Sequence, residues 1–223
     1  MTASDWLVIF DCDGVLVDSE SIACAVLSQH LCAMGLPYTP AACLQQFTGL
    51  SLSSCRTQIE HTHGVTLSPD FFDALQQDTF ARFQHELQAI PNVTTALDWL
   101  DTQQIPYCVA SSGSLEKMRF TLKHTGLLAR LEPHLFSAQQ VRHGKPAPDL
   151  FLYAAQCMQR APTRCWVIED SRPGIEAGLA AGMQVCAFCH PHAVPGTVSL
   201  RDMAELPTLI ERQLALSHCR DAY

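Results

Sequence analysis

The 223-residue sequence carries a formal net charge of −8, with 48% hydrophobic and 16% charged residues. That is too apolar for a disordered chain, and long enough for one sizeable core or a core with a smaller attached domain. The acidic balance, with lysines only at Lys117, Lys123 and Lys145, argues against a nucleic-acid partner, which needs clustered cations, and no apolar run is long enough to span a bilayer.

The first apolar run, Leu7-Val8-Ile9-Phe10, stops abruptly at Asp11-Cys12-Asp13-Gly14 and predicts a buried strand ending in a loop. No basic region precedes it, so it does not read as a secretory signal. From Ser21 to Met34 the periodicity turns helical, with Ala23, Leu27, Leu31 and Met34 on one face and Gly35 as a stop. Ser68-Pro69-Asp70 predicts an N-cap followed by a helix striped with Phe72, Leu75, Phe83 and Leu87. Between Ser19 and Ile90 the pattern predicts helices and no strand.

After Pro91 strand and helix alternate. A helix over Val93 to Leu100 leads to a strand over Ile105 to Ala110, and Ser111-Ser112-Gly113-Ser114 follows. A helix over Leu115 to His124 ends near Gly126, and another spans Pro148 to Met158. Cys165 to Ile168 is a strand running into Glu169-Asp170, Ile175 to Ala181 a helix, and Gln184 to Phe188 a strand. Such alternation predicts a parallel sheet covered on both faces. The fold expected is α/β, interrupted after its first strand by about seventy helical residues.

Ligands of these sheets bind beyond the carboxyl ends of the strands. Asp11/Asp13, Ser111/Ser112 and Glu169/Asp170 each fall there. A carboxylate at such an end can attack phosphorus, and a second, two residues on, can protonate the leaving alcohol and later deprotonate water. Glu169 and Asp170 add oxygens suited to a hard cation such as Mg2+. Ser111, Ser112 and Lys145 can hold phosphate oxygens. Taken singly, each cluster also reads as a turn, a cap or a plain loop; their order and placement favour the joint reading.

Asp11-Cys12-Asp13-Gly14-Val15-Leu16-Val17-Asp18-Ser19-Glu20 resembles the first motif of the haloacid dehalogenase-like hydrolases. Val109-Ala110-Ser111-Ser112 is similar to the second, Gly144-Lys145-Pro146-Ala147-Pro148-Asp149 to the third, and Val167-Ile168-Glu169-Asp170-Ser171 with Gly174 and Gly178 to the fourth. The resemblance implies a Rossmann-like core, residues 1–18 and 90–223, with an inserted all-helical cap over 19–89, as in the branch of β-phosphoglucomutase and phosphoglycolate phosphatase. It implies Asp11 as nucleophile and Asp13 as acid–base, with the Asp13 carbonyl also on Mg2+. Ser111 and Lys145 hold phosphate, Asp170 is a metal ligand, and Glu169 binds the metal directly or through water. Asp18 is expected to brace the hinge of the cap.

Asp13 resembles phosphatase and mutase members, since haloacid dehalogenases lack an acid there. A phosphonoacetaldehyde hydrolase would need a cap lysine, and residues 19–90 contain none. Phe47-Thr48-Gly49-Leu50-Ser51-Leu52 is similar to the cap loop that reads substrate, which makes Thr48 and Gly49 candidate specificity residues. In the mutase an arginine three residues after the loop glycine grips the second phosphate; here Leu52 stands there, and Arg56, one helical turn on, is the candidate substitute. The expected protein is a cytoplasmic, monomeric phosphatase of small phosphate esters. It resembles bacterial sugar- and sugar-acid-phosphate phosphatases, the 6-phosphogluconate phosphatases among them. A sugar-phosphate mutase is the alternative, and a non-catalytic binding protein on the same fold a more remote one.

Eleven cysteines, an odd number scattered through apolar segments, predict reduced thiols rather than a disulfide framework. Cys186-Ala187-Phe188-Cys189-His190 matches a haem-attachment pattern, but its first cysteine lies in a predicted strand. His61, His63 and His85 are expected at solvated helix positions rather than on substrate.

Overall fold

In the computed structural model, which describes residues 5–48, 50, 52–190 and 192–220, Leu7–Phe10 forms strand β1, buried along its whole length. Helices α1 (Glu20–Ala33), α2 (Pro40–Phe47), α3 (Leu52–His63) and α4 (Pro69–Glu86) come next. The chain then runs through α5 (Val93–Thr102), β2 (Tyr107–Ser111), α6 (Leu115–His124), α7 (Leu128–Leu131), β3 (Leu135–Ser137) and α8 (Asp149–Cys157). It closes with β4 (Cys165–Glu169), α9 (Arg172–Ala180), β5 (Gln184–Phe188), β6 (Val198–Leu200) and α10 (Leu206–Arg220).

The six strands form one parallel sheet in the order β3-β2-β1-β4-β5-β6. Alternate residues serve opposite layers, because successive side chains of a strand point to opposite faces. Val8, Phe10, Trp166 and Ile168 join the core built with α5, α6 and α10, whereas Leu7, Ile9, Cys165 and Val167 join that of α8 and α9. Phe10 is in register with Val109 and Ile168, so Asp11, Ser111 and Glu169 emerge at one edge. The strand order reverses direction at β1, which opens a crevice there.

The helical insertion has its own core, in which Leu31, Cys43, Ile59 and Leu67 are fully buried. Thr39 and Ser68 cap α2 and α4 by accepting from Ala42 N and Phe71 N, and a proline follows each. The insertion leaves and re-enters the core through one pair of adjacent segments. Asp18 N donates to Gln88 O (2.9 Å), Ile90 N donates to Leu16 O (3.0 Å), and Val17 faces Ala89 antiparallel. Phe80 of α4 meets Phe120 of α6 edge-on at 4.8 Å, seating the insertion against the core. Asp18 accepts from Ser21 Oγ (2.8 Å) as α1 begins.

Strands β3 and β6 carry no signal in the sequence, because at three residues each they are too short to show a period. Helix α9 starts at Arg172 rather than Ile175, because Ser171 accepts from Gly174 N and Pro173 falls in its first turn.

Candidate active site

Asp11 directly follows β1, and its N–H donates to Ile168 O of the neighbouring strand (3.0 Å), which fixes its position at the carboxyl end of this central strand. Its Oδ1 accepts from Lys145 Nζ at 2.6 Å, and the same ammonium donates to Glu169 Oε1 at 3.0 Å. The Lys145 side chain is 3% exposed and its Nζ lies 5.0 Å from the centre of the Phe151 ring. Burial alone would lower Lys145, but Asp11 and Glu169 hold it above the ordinary lysine range. Glu169 also accepts from Ser171 Oγ (3.0 Å) and Ser171 N (3.3 Å).

Two glycines make room for this cluster. A Cβ on Gly174 would sit 1.6 Å from Glu169 Oε1, and one on Gly14 would sit 2.1 Å from Asp170 Oδ2. The acid pair can lie against the chain only because those side chains are missing.

Asp13 has different company. Ser19 Oγ donates to its Oδ1 in a close contact, and Lys117 Nζ pairs with the same oxygen at 2.9 Å. Burial pushes Asp13 up, yet Lys117 and Ser19 outweigh it and hold the carboxyl below its ordinary value. Asp11 goes the other way: burial raises it to about 7, Lys145 opposes, and Glu169 and Asp13 add repulsion. Burial followed by repulsion from Glu169 and Asp11 also raises Asp170 well above the carboxylate range.

Asp11, Glu169 and Asp170 each place one carboxylate oxygen within 4.8 Å of the others. Lys145 supplies a single positive charge to this triad. Three converging hard oxygens with that charge deficit fit a divalent cation of the Mg2+ type. Ser111 lies at the end of β2, buried, with its Oγ accepting from Gly113 N (3.0 Å). Ser111 and Ser112 both face the cavity above Asp11, which has a volume of about 400 Å³.

The family model described as haloacid dehalogenase-like hydrolase matches residues 8–188. The chain belongs to the haloacid dehalogenase-like hydrolases. It is similar to 6-phosphogluconate phosphatase of Escherichia coli (strain K12), 31% identical over 208 residues covering 91% of this chain and 93% of that one. A haloacid dehalogenase-like protein of unknown function from Agrobacterium tumefaciens str. C58 superposes with a TM-score of 0.81 at 32% identity, over 93% of this chain and 98% of that one. A HAD family hydrolase from Deinococcus radiodurans R1, solved with bound phosphate and sodium, gives 0.78 at 32% identity over 95% and 98%.

In this HAD-like hydrolase the structure brings together Asp11, Asp13, Ser111, Ser112, Lys145, Glu169 and Asp170 around one cavity. Two of the cap candidates are not part of its wall. Thr48 Oγ1 turns back to donate to Leu44 O (2.6 Å), and Arg56 is tied to Glu60 (3.0 Å) with its guanidinium over Phe72. Gly49 lies outside the described residues. Leu50 and Leu52 line the cavity in their stead.

Lys117, Ser19 and Ser171 were missed as site residues. The available signal was positional: Lys117 is the third residue after the N-cap Ser114, in the first turn of a helix that starts at the site. His61 and His85 are exposed and His63 bonds Tyr38 Oη (2.9 Å), all away from the cavity. Cys186 is buried in β5 while Cys189 is exposed, a geometry that does not offer haem two accessible thiols. The described cysteines are free, and no helix among the described residues is long and apolar enough to cross a membrane.

Proposed function

We propose that this hydrolase removes phosphate from small phosphorylated sugars or sugar acids, with Asp11 as nucleophile, Asp13 as acid–base, and Mg2+ held by Asp11, Glu169, Asp170 and the Asp13 carbonyl. The reaction class is phosphoric monoester hydrolysis. The observation that carries the reading is the division of labour between the two aspartates: Asp11 sits with Lys145 in the acid triad, and Asp13 with Lys117 and Ser19 outside it. A nucleophile and an acid–base need different surroundings, and here each has its own.

An Asp11 oxygen attacks phosphorus, the bond from phosphorus to the ester oxygen breaks, and the departing alcohol takes a proton from Asp13. Water then attacks the aspartyl-phosphate and gives its proton to Asp13, and inorganic phosphate leaves as Asp11 is freed. Lys145, Ser111 and Ser112 hold the non-reacting phosphate oxygens throughout. Mg2+, when bound, neutralises charge on the phosphate and on the acids around it.

In this reading residues 19–89 are a cap over a core of residues 1–18 and 90–223. All of the proposed machinery comes from one chain, so a monomer suffices. Free thiols fit a cytoplasmic location. The similarity to a 6-phosphogluconate phosphatase supports phosphorylated carbohydrate as the substrate class. A mutase must grip a second phosphate while excluding water. Against that, Leu52 stands where the grip is expected, 57% exposed, and Arg56 is engaged with Glu60.

The test is to follow inorganic phosphate and isomer in parallel from β-glucose 1-phosphate with a bisphosphate primer, and phosphate from a panel of sugar and sugar-acid phosphates. Phosphate release that needs Mg2+ and vanishes in folded Asp11→Asn is expected. Isomerisation outrunning release would make the protein a mutase, and substantial turnover by Asp11→Asn would end the covalent mechanism.

A further inference from the structure

The wall of the cavity that faces Asp11 is supplied by α1 to α4 and the loops between them, and it is mainly apolar. Leu27, Phe47, Leu50, Leu52, Leu75 and Phe80 line it. Among the described residues its polar groups are Glu20, Gln76, Thr79 and the thiols of Cys24 and Cys55, and Thr79 Oγ1 already donates to Leu75 O (2.7 Å). Among the described residues around the cavity the cations are Lys117 and Lys145. Both come from the core, and both are paired with the catalytic acids. The two arginines of the insertion, Arg56 and Arg82, bridge to Glu60 and Glu86 one turn along their own helices and do not reach it.

We infer that this wall selects the monophosphate of an uncharged alcohol with an apolar face, such as a deoxygenated sugar, and rejects esters carrying a second anion. This rests on the phosphatase reading and narrows it, since it removes sugar acids and bisphosphates from the sugar-phosphate class. A carboxylate remote from the reacting phosphate would be moved from water onto leucine and phenylalanine side chains, with Glu20 as its charged neighbour. An unpaired buried charge of that kind is strongly disfavoured. The C–H face of a sugar lies well against aromatic rings, and its hydroxyls can donate to Glu20 or bond Gln76. A cavity of about 400 Å³ falls in the range of small-molecule sites. Discrimination here comes from what the wall withholds as much as from what it offers.

Sorbitol 6-phosphate and 6-phosphogluconate form a matched pair, differing only in a terminal CH2OH against a carboxylate. Wild-type kcat/KM should favour the neutral member at least about tenfold, and 2-deoxyribose 5-phosphate should match or exceed ribose 5-phosphate. Leu52→Arg, at an exposed helix start where the fold should tolerate it, should bring the first ratio towards unity by raising turnover of the acid. The same pair is titrated calorimetrically into Asp11→Asn with Mg2+, so that selectivity is also read without turnover. Equal or better handling of 6-phosphogluconate by the wild type, or a ratio that Leu52→Arg leaves in place, would overturn the inference with the phosphatase reading intact. Selective binding with no hydrolysis of any ester would instead remove the phosphatase reading and uphold the selectivity of the wall.

Discussion

Asp11 and Asp13 are separated by a single residue, yet one is pushed up to about 7 and the other held below its ordinary value. Lys117 is the principal cause opposing burial at Asp13, so its removal should let burial win. In Lys117→Met the Asp13 carboxyl would then ionise at higher pH, and its base form would be lost sooner as pH falls. The acid limb of the pH–rate profile for nitrophenyl phosphate should therefore move upward, because that ester needs little protonation and exposes the water-activating half of the proposed cycle. Superimposable profiles for Lys117→Met and wild type would show that Lys117 does not govern Asp13. The strand-end acids, serines and Lys145 were legible in the sequence because each follows an apolar run or a motif of fixed order. Lys117 and Ser19 were not: a first-turn position after the Ser114 cap is the one mark Lys117 carries, and whether that helix start comes to rest beside Asp13 is settled only by the tertiary fold.

At the level of elements, the junction of β4 and α9 shows how tightly the acid pair is built in. The carboxylate of Glu169 occupies the space a Gly174 side chain would need. Gly174→Ala should displace Glu169 from Ser171 and Lys145, lowering stability by about 1–3 kcal/mol and weakening Mg2+ binding. Thermal unfolding in chelator reads the first effect, and the Mg2+ dependence of turnover reads the second. A variant with wild-type values of both would mean that the carboxylate moves aside freely. The longer elements were readable beforehand: the predicted bounds of Leu115–His124 and Gln184–Phe188 are those observed. Ser114 caps the helix, and the strand is an unbroken, almost wholly buried run that follows the turn at Gly182. The division of the insertion into α1 to α4 was only partly visible, because α3, with its many exposed polar residues, carries a weak apolar stripe.

Taken as a whole, the molecule gathers the carboxylates of Asp11, Glu169 and Asp170 around the single ammonium of Lys145, and this couples its stability to protons and metal. With Asp11 raised to about 7 from a starting value of 3.8, the folded state holds that proton more tightly than the unfolded chain. The stabilisation is fully present below the unfolded value and is lost as pH climbs through the folded one. Metal-free protein should thus weaken on this account towards neutrality, where a divalent cation offsets the repulsion most. The rise in Tm on adding Mg2+ should be larger at pH 7.5 than at pH 5, and equal rises would contradict it. The paired segments at residues 16–18 and 88–90 have a further consequence. They bring the two ends of a long excursion to neighbouring positions, so the surrounding sheet need not register how much chain lies between them. A short turn could close the gap, or an unrelated module be spliced in, while the parent scaffold keeps its register. In the proposed reading, substrate choice thus sits on an exchangeable cassette above a fixed chemical chassis.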